Sequence, residues 1–141
     1  MTGEETWSRL ALASTHAVLA RPGSLEGLNG PTVCHGEAGF LQSLWRLGQQ
    51  TADQVLLDHC DRLADRLAGA WDEQADYGYR HLVGPRGATG PQHGRPPVED
   101  NPGILEGAAG VAAALLSVLP DPGGPGGEQH EPVWDRVLLL S

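Results

Sequence analysis

Cys34 and His35 stand side by side, between the turn signal Pro31-Thr32 and a glycine, Gly36, that opens an apolar helical run. Thiolate sulfur and neutral imidazole nitrogen are the ligands that zinc prefers. Adjacent residues reach one ion only from a bent backbone, and Pro31 and Gly36 permit the bend. A position just before a helix adds a second effect, because unpaired N–H groups and the helix dipole favour an anionic sulfur. Cys34 and His35 are therefore the candidate metal ligands, and no residue is assigned a catalytic role. A Cys-His pair alone is a far weaker metal signature than two Cys-x-x-Cys pairs.

The remaining titratable side chains carry less. Cys60 falls inside an apolar helical stripe and reads as a small buried hydrophobe. His59, beside it, lies off that stripe and is expected in solvent. His16 and His81 have no partner at ligand spacing, and His93 and His130 lie in loop sequence. Asp76, Tyr77 and Tyr79 could line a site, although loop tyrosines more often anchor by packing and one hydrogen bond. The sequence holds no Gly-rich phosphate loop, no nucleophile elbow and no helical His-Glu-x-x-His.

Four helices must position these groups. Thr2 and Glu5 form a capping box, after which Trp7, Leu10, Ala11, Ser14 and Val18 recur at helical spacing until Arg21-Pro22. Residues 22–31 are turn-rich loop. A second helix starts near Gly36 and carries Phe40, Leu41, Leu44 and Trp45. Thr51 and Gln54 supply a second capping box for a third helix, with Leu56, Cys60, Leu63, Leu67 and Trp71 as its apolar stripe. Residues 75–100 are polar, rich in Gly and Pro, and read as a long loop. Asn101-Pro102 marks the start of a fourth helix, Gly103 to Leu119. After Glu106 that helix has no charge on any side, the composition of a helix surrounded by protein. Residues 121–131 form a second loop, and Val133 to Ser141 is apolar enough to dock on the body.

One echo links the second and fourth helices. Gly36-Glu37-Ala38-Gly39 and Gly107-Ala108-Ala109-Gly110 each lead into an apolar run, which fits a repeated architecture with closely approaching backbones.

Composition limits the function classes. The 141 residues suit one domain, and the net charge of −9 disfavours an electrostatic hold on nucleic acid or an anionic membrane. All nine basic residues are Arg, which together with abundant Ala, Gly and Pro suggests GC-rich codons and a bacterial source. The acidic amino terminus does not read as a signal peptide, and the longest apolar run, Gly107 to Leu119, is shorter than the ~20 residues of a spanning helix. The chain is expected in the cytoplasm with reduced thiols.

Cys34-His35-Gly36-Glu37-Ala38-Gly39 resembles the Cys-His-Gly-x-Ala-Gly motif of the lanthionine synthetase C-like family. The stretch from Asn101 through Leu105, Gly107 and Gly110 is similar to that family's later Leu-x-Gly-x-x-Gly helix. Trp134 to Leu140 resembles its usual ending. The three motifs stand in the family's order and span essentially this whole chain, though only the last third or so of a typical member. The resemblance implies an all-α fold, the carboxy-terminal part of an α/α toroid of two concentric helical rings. It implies a Zn2+ held by Cys34, His35 and an earlier cysteine. It also implies addition of a peptide cysteine thiol to dehydroalanine or dehydrobutyrine in a dehydrated precursor peptide, giving lanthionine or methyllanthionine. The family's earlier cysteine and its proton-transferring His and Tyr would fall ahead of Met1. The expectation is thus a cyclase fragment or split subunit, completed by a partner chain or an upstream portion, with a bare apolar face on its fourth helix. The alternative is a non-catalytic helical scaffold that binds a precursor peptide or a lanthipeptide synthetase. A relative that adds glutathione to dehydrated residues is a third reading.

Overall fold

A computed structural model of the chain describes residues 3–28, 30–83, 98–119 and 134. Helix α1 (Gly3–Leu19) is followed by a short 3-10 turn (Ser24–Gly27), then α2 (Glu37–Thr51) and α3 (Gln54–Gly69). Strands β1 (Arg80–Leu82) and β2 (Val98–Asp100) follow, and then α4 (Ala108–Val118). The architecture is all-α, with the two strands as a small antiparallel ribbon in which Arg80 faces Asp100, His81 faces Glu99 and Leu82 faces Val98. The ribbon lies at the two ends of the segment expected as loop. Strands of three residues are too short to show a period in sequence.

The core forms where α2, α3 and α4 meet. Leu41 and Leu44 from α2, Leu56, Leu63 and Leu67 from α3, and Val111 and Ala114 from α4 are fully buried. Each such leucine contributes about 1.5–3 kcal/mol by leaving water. Helices α2 and α3 form a hairpin with only Ala52 and Asp53 between them. Ala52 takes a left-handed conformation (φ 53°), and Asp53 N–H donates to Gly48 O at 3.0 Å. A Cβ at Gly48 would sit 2.9 Å from the Leu57 side chain, so the close packing of the hairpin leaves room for a larger residue there only if Leu57 shifts.

Several sequence expectations need correction. Thr51 does not cap α3: it ends α2, and its hydroxyl donates back to Leu47 O at 2.7 Å. Asp53 is the N-cap, its carboxylate accepting from Leu56 N–H at 3.1 Å. Trp71 does not extend the α3 stripe, because the helix ends at Gly69; the indole meets Tyr79 edge-on instead, with ring centroids 5.6 Å apart. Helix α4 begins later than expected. Asn101 Oδ1 accepts from Gly103 N–H at 2.7 Å in a local turn, and Gly107 is the N-cap. Thr2, one half of the first expected capping box, lies outside the described residues.

Helix α1 presents a different face from the one its pattern suggested. Leu12 and Leu19 pack on the core, while Trp7, Leu10 and Val18 are exposed, Trp7 at 72%. Apolar periodicity shows which residues seek cover and not whether this stretch of chain supplies it. Helix α4 has the bare face expected of it, with Leu116 70% exposed. From the final segment, Trp134 docks as expected, its indole N–H donating to Ser117 Oγ at 3.0 Å. Residues 121–131 and 135–141 lie outside the described residues.

Candidate metal centre

The candidate pair is held by a loop that folds back over the first turn of α2. The N–H groups of Glu37, Ala38 and Gly39 would be left unpaired by the helix itself. They donate instead to the carbonyls of Gly30 (2.9 Å), Pro31 (3.2 Å) and Thr32 (3.4 Å). This corrects one part of the sequence reading: those donors are already used by backbone oxygens and do not reach the Cys34 sulfur. The loop lies so close that a Cβ on Gly36 would sit 2.3 Å from Gly30 O, and one on Gly39 would sit 1.9 Å from Val33 O. Only glycine fits at either place.

The same loop is built again before α4. Ala108 and Ala109 N–H donate to the carbonyls of Asn101 and Pro102, the residues matching Gly30 and Pro31. A Cβ on Gly107 would sit 2.1 Å from Asn101 O, and one on Gly110 would sit 1.9 Å from Ile104 O. The Gly-x-x-Gly echo is therefore a repeat of backbone geometry, residue for residue. In that correspondence Leu105 takes the place of Cys34 and Glu106 the place of His35. The two loops touch directly, since Cys34 N–H donates to Leu105 O at 2.8 Å.

Both side chains of the pair are exposed, and Cys34 Sγ lies 3.6 Å from His35 Nε2. Zinc at about 2.3 Å from sulfur and about 2.05 Å from nitrogen, with a tetrahedral angle between them, spans about 3.6 Å from one ligand atom to the other. The pair thus matches one edge of a zinc tetrahedron, and the residues present fit the ion. A carboxylate oxygen of Glu106 completes a group in which all three ligand atoms lie within 4.8 Å of one another. Sequence reasoning missed Glu106. Its place opposite His35 in the repeat was the signal that could have found it.

A cleft of about 390 Å³ adjoins the group, lined by Leu28, Val33, Cys34, His35, Phe40 and Leu105 among others. Its walls are largely apolar, with Cys34, His35 and Ser43 as the polar side chains, the usual composition of a small-molecule or side-chain pocket.

The other residues considered lie elsewhere. Cys60 is 2% exposed on α3, and burial pushes its thiol up to about 12, so it stays protonated. His59 is half-buried rather than solvated, and desolvation, followed by the nearby Arg62 guanidinium, holds its imidazole below the ordinary range. His16 does have a partner, Asp53, with Nε2 2.8 Å from Oδ2. His81 is buried in β1. Tyr79 is buried, with its hydroxyl donating to Leu67 O at 2.9 Å, as expected of an anchor. Asp76 and Tyr77 line a second cleft of about 380 Å³, against Trp71, Pro102 and Ala108, apart from the Cys-His pair. His93 and His130 lie outside the described residues.

A family model described as lanthionine synthetase C-like protein matches residues 8–121. That span takes in both loops and the whole of α2, α3 and α4, far more than half of the chain. No curated protein matches the chain significantly. The chain belongs to the lanthionine synthetase C-like family.

Proposed function

We propose that this chain carries the Cys34–His35 part of a zinc site in a lanthionine-forming cyclase. Its reaction is addition of a peptide cysteine thiol across the double bond of dehydroalanine or dehydrobutyrine. A new C–S bond forms at the β-carbon, and the thiol's proton equivalent is returned at the α-carbon, so the product has the mass of the substrate. One observation carries the reading: within a family-matched loop, a sulfur and an imidazole nitrogen stand at the 3.6 Å separation that one tetrahedral zinc ion requires.

A bound zinc ion supplies a Lewis acid, which holds an incoming thiol as its nucleophilic thiolate near neutral pH. The residues of this chain hold and present. The carbonyl-capped loop fixes the backbone that carries Cys34 and His35, which lowers the ordering entropy of assembling the site. Both face solvent, so a peptide can approach. The apolar cleft beside them, with Phe40 and Leu105, suits the alkene and its flanking side chains. No helix among the described residues is long and apolar enough to cross a membrane.

The exposed Trp7, Leu10, Leu116 and Leu119 support further helices packing on this unit to complete a ring, supplied by a partner chain or by sequence outside these residues.

The experiment is thioether formation on a dehydrated precursor peptide, read as loss of alkylatable cysteine without change of mass. Cys34→Ala and His35→Ala each abolish it if the site works as described. Turnover undiminished in the double variant assigns the chain to the scaffold class.

A further inference from the structure

We propose that the cleft beside Trp71 anchors an arginine side chain of a peptide, its guanidinium lying on the exposed aromatic rings and paired with the carboxylate of Asp76. The site is separate from the Cys34–His35 pair. That its occupant belongs to the peptide being cyclised rests on the proposed function. The cleft measures about 380 Å³, room for one long side chain, and is walled by Trp71, Tyr77, Tyr79, Pro102 and the alanines that begin α4.

The aromatic wall is set in advance. Gly78 takes a left-handed conformation (φ 80°), and a Cβ there would sit 2.1 Å from the Trp71 ring, so the indole lies directly on that glycine. Tyr79 meets the indole edge-on and is itself tied to Leu67 O. Even so, Trp71 stays 57% exposed and Tyr77 47%, whereas Trp45 in the core is 5% exposed. A ring held in place but left open is a surface for a planar cation, which the π face attracts.

Charge decides what fits. Residues 72–80 and 98–100 carry the carboxylates of Asp72, Glu73, Asp76, Glu99 and Asp100 and a single guanidinium, Arg80. Arg80 is already engaged, with Asp72 at 3.3 Å, Asp100 at 3.9 Å and Gln74 O at 3.0 Å. Asp76 N–H donates to Asp100 Oδ1 at 3.2 Å, which places its backbone, yet its carboxylate has no partner among the described residues. It is also the one charged group that lines the cleft. An unneutralised carboxylate beside open aromatic rings complements a cation. Arginine suits it better than lysine, because a planar guanidinium can lie on a ring and still give two parallel N–H groups to a carboxylate. Position adds to this. Pro102 lines the cleft, and Leu105, in the same loop, lines the cleft beside Cys34 and His35. The three peptide steps between them span at most about 11 Å, so an extended peptide of about four to six residues is long enough to occupy both.

Nuclear magnetic resonance of the full 141-residue chain with nitrogen-labelled tryptophan provides the test, read at the Trp71 indole N–H with Trp7, Trp45 and Trp134 as internal controls. The probe is a capped glycine-arginine-glycine peptide, beside its lysine, leucine and glutamate counterparts. The arginine peptide shifts the Trp71 signal and spares the other three. Asp76→Asn and Tyr77→Leu, both at exposed positions, each weaken its binding about threefold or more. Glu73→Gln and Cys34→Ala leave it nearly unchanged. No Trp71 shift, leucine or glutamate peptides as effective as arginine, or full affinity in the Asp76→Asn, Tyr77→Leu double variant overturns the site. Equal or tighter binding of the lysine peptide overturns the choice of a guanidinium. The link to substrate is read separately, in the cyclisation assay: an arginine-to-glutamine change in the precursor peptide, or Asp76→Asn in the protein, raises KM about threefold and leaves kcat unchanged. A KM indifferent to both overturns the substrate role. No cyclisation at all, with Trp71 still shifted by the arginine peptide, overturns the proposed function and leaves the arginine site standing.

Discussion

The loops before α2 and α4 share one backbone course and differ in the side chains they present at the tip. Each folds back so that its carbonyls take the first N–H groups of the following helix, and each needs glycine at the same two places. They reach that shape by different local means. Gly30 uses a left-handed conformation (φ 84°), whereas Asn101 uses its side chain to accept from Gly103 N–H. At the tip the first loop presents Cys34 and His35, and the second presents Leu105 and Glu106. The comparison teaches that the scaffold and the chemistry are separable here: glycines set the turn, and the two residues between turn and helix decide what the turn can hold.

The harshest way to break the comparison is to fill the glycines. Gly39→Ala and Gly110→Ala each drive a methyl to 1.9 Å from a backbone oxygen, of Val33 and Ile104 respectively. Backbone cannot yield as a flexible side chain can, so each should cost about 3 kcal/mol or more, a large share of the stability of a small domain. Urea unfolding should show both losses, while Gly69→Ala, where a Cβ meets nothing within 4 Å, stays near the unsubstituted chain. If only one of the pair is destabilised, the two loops are not equivalent.

A gain-of-function exchange sharpens the same point. Leu105→Cys combined with Glu106→His gives the second loop the side chains of the first. Two thiolates and two imidazoles would then meet at one place and close the tetrahedron. Zinc affinity should rise at least roughly tenfold while cyclisation falls, because the position a substrate thiol needs is filled. Chelator competition and the peptide assay, run side by side, check the two opposed effects.

Much of this was legible in the sequence, and the illegible part has physical causes. The apolar stripe of α3 from Leu56 to Leu67 and the glycine spacing before α2 and α4 are local patterns, and the structure follows them. The Cys34–His35 pair was visible because adjacency in sequence guarantees proximity. Glu106 was not, because its approach to that pair depends on how two loops dock. The exposed face of α1 was misjudged for a related reason: amphipathicity names the residues that want cover, and Trp7 has none within the described residues. Thr51 lost its expected capping role to Asp53 because both types cap well, and the turn at Ala52 decides between them.

The two cysteines extend the contrast to reactivity. Cys34 is exposed, whereas the Cys60 thiol is buried and pushed up to about 12. While the thiol stays buried, almost none of it is thiolate at pH 7. Maleimide should therefore label Cys34 alone under native conditions, at least about 100-fold faster than Cys60. Added zinc should protect Cys34 and leave Cys60 unchanged. Mass spectrometry after limited labelling reads both, and prompt native labelling of Cys60 contradicts the packing of α3 against α2.

The smallest expected effect concerns how α1 is held to the pair of helices that carry the first loop. Asp53 caps α3 and also accepts from His16 on α1, and this hydrogen bond holds its carboxyl below the ordinary 3.8. A carboxyl lowered by folding stabilises the fold at pH above its unfolded value, and the contribution is lost as pH falls through the lower folded value. The α1 attachment should then loosen only in acid, below about pH 3.8, and its amides should exchange faster there before α2 and α3 respond. Asp53→Asn retains a capping oxygen but has no carboxyl to titrate, so it should remove the acid step while α3 stays formed. Hydrogen exchange followed by peptide mass across that range decides it. The effect is small because both partners remain in contact with solvent, which screens their charges. Its location is informative nonetheless: if α1 releases without disturbing the Cys34–His35 separation, the metal loop owes its shape to the carbonyl-capped turn and not to the helix that precedes it.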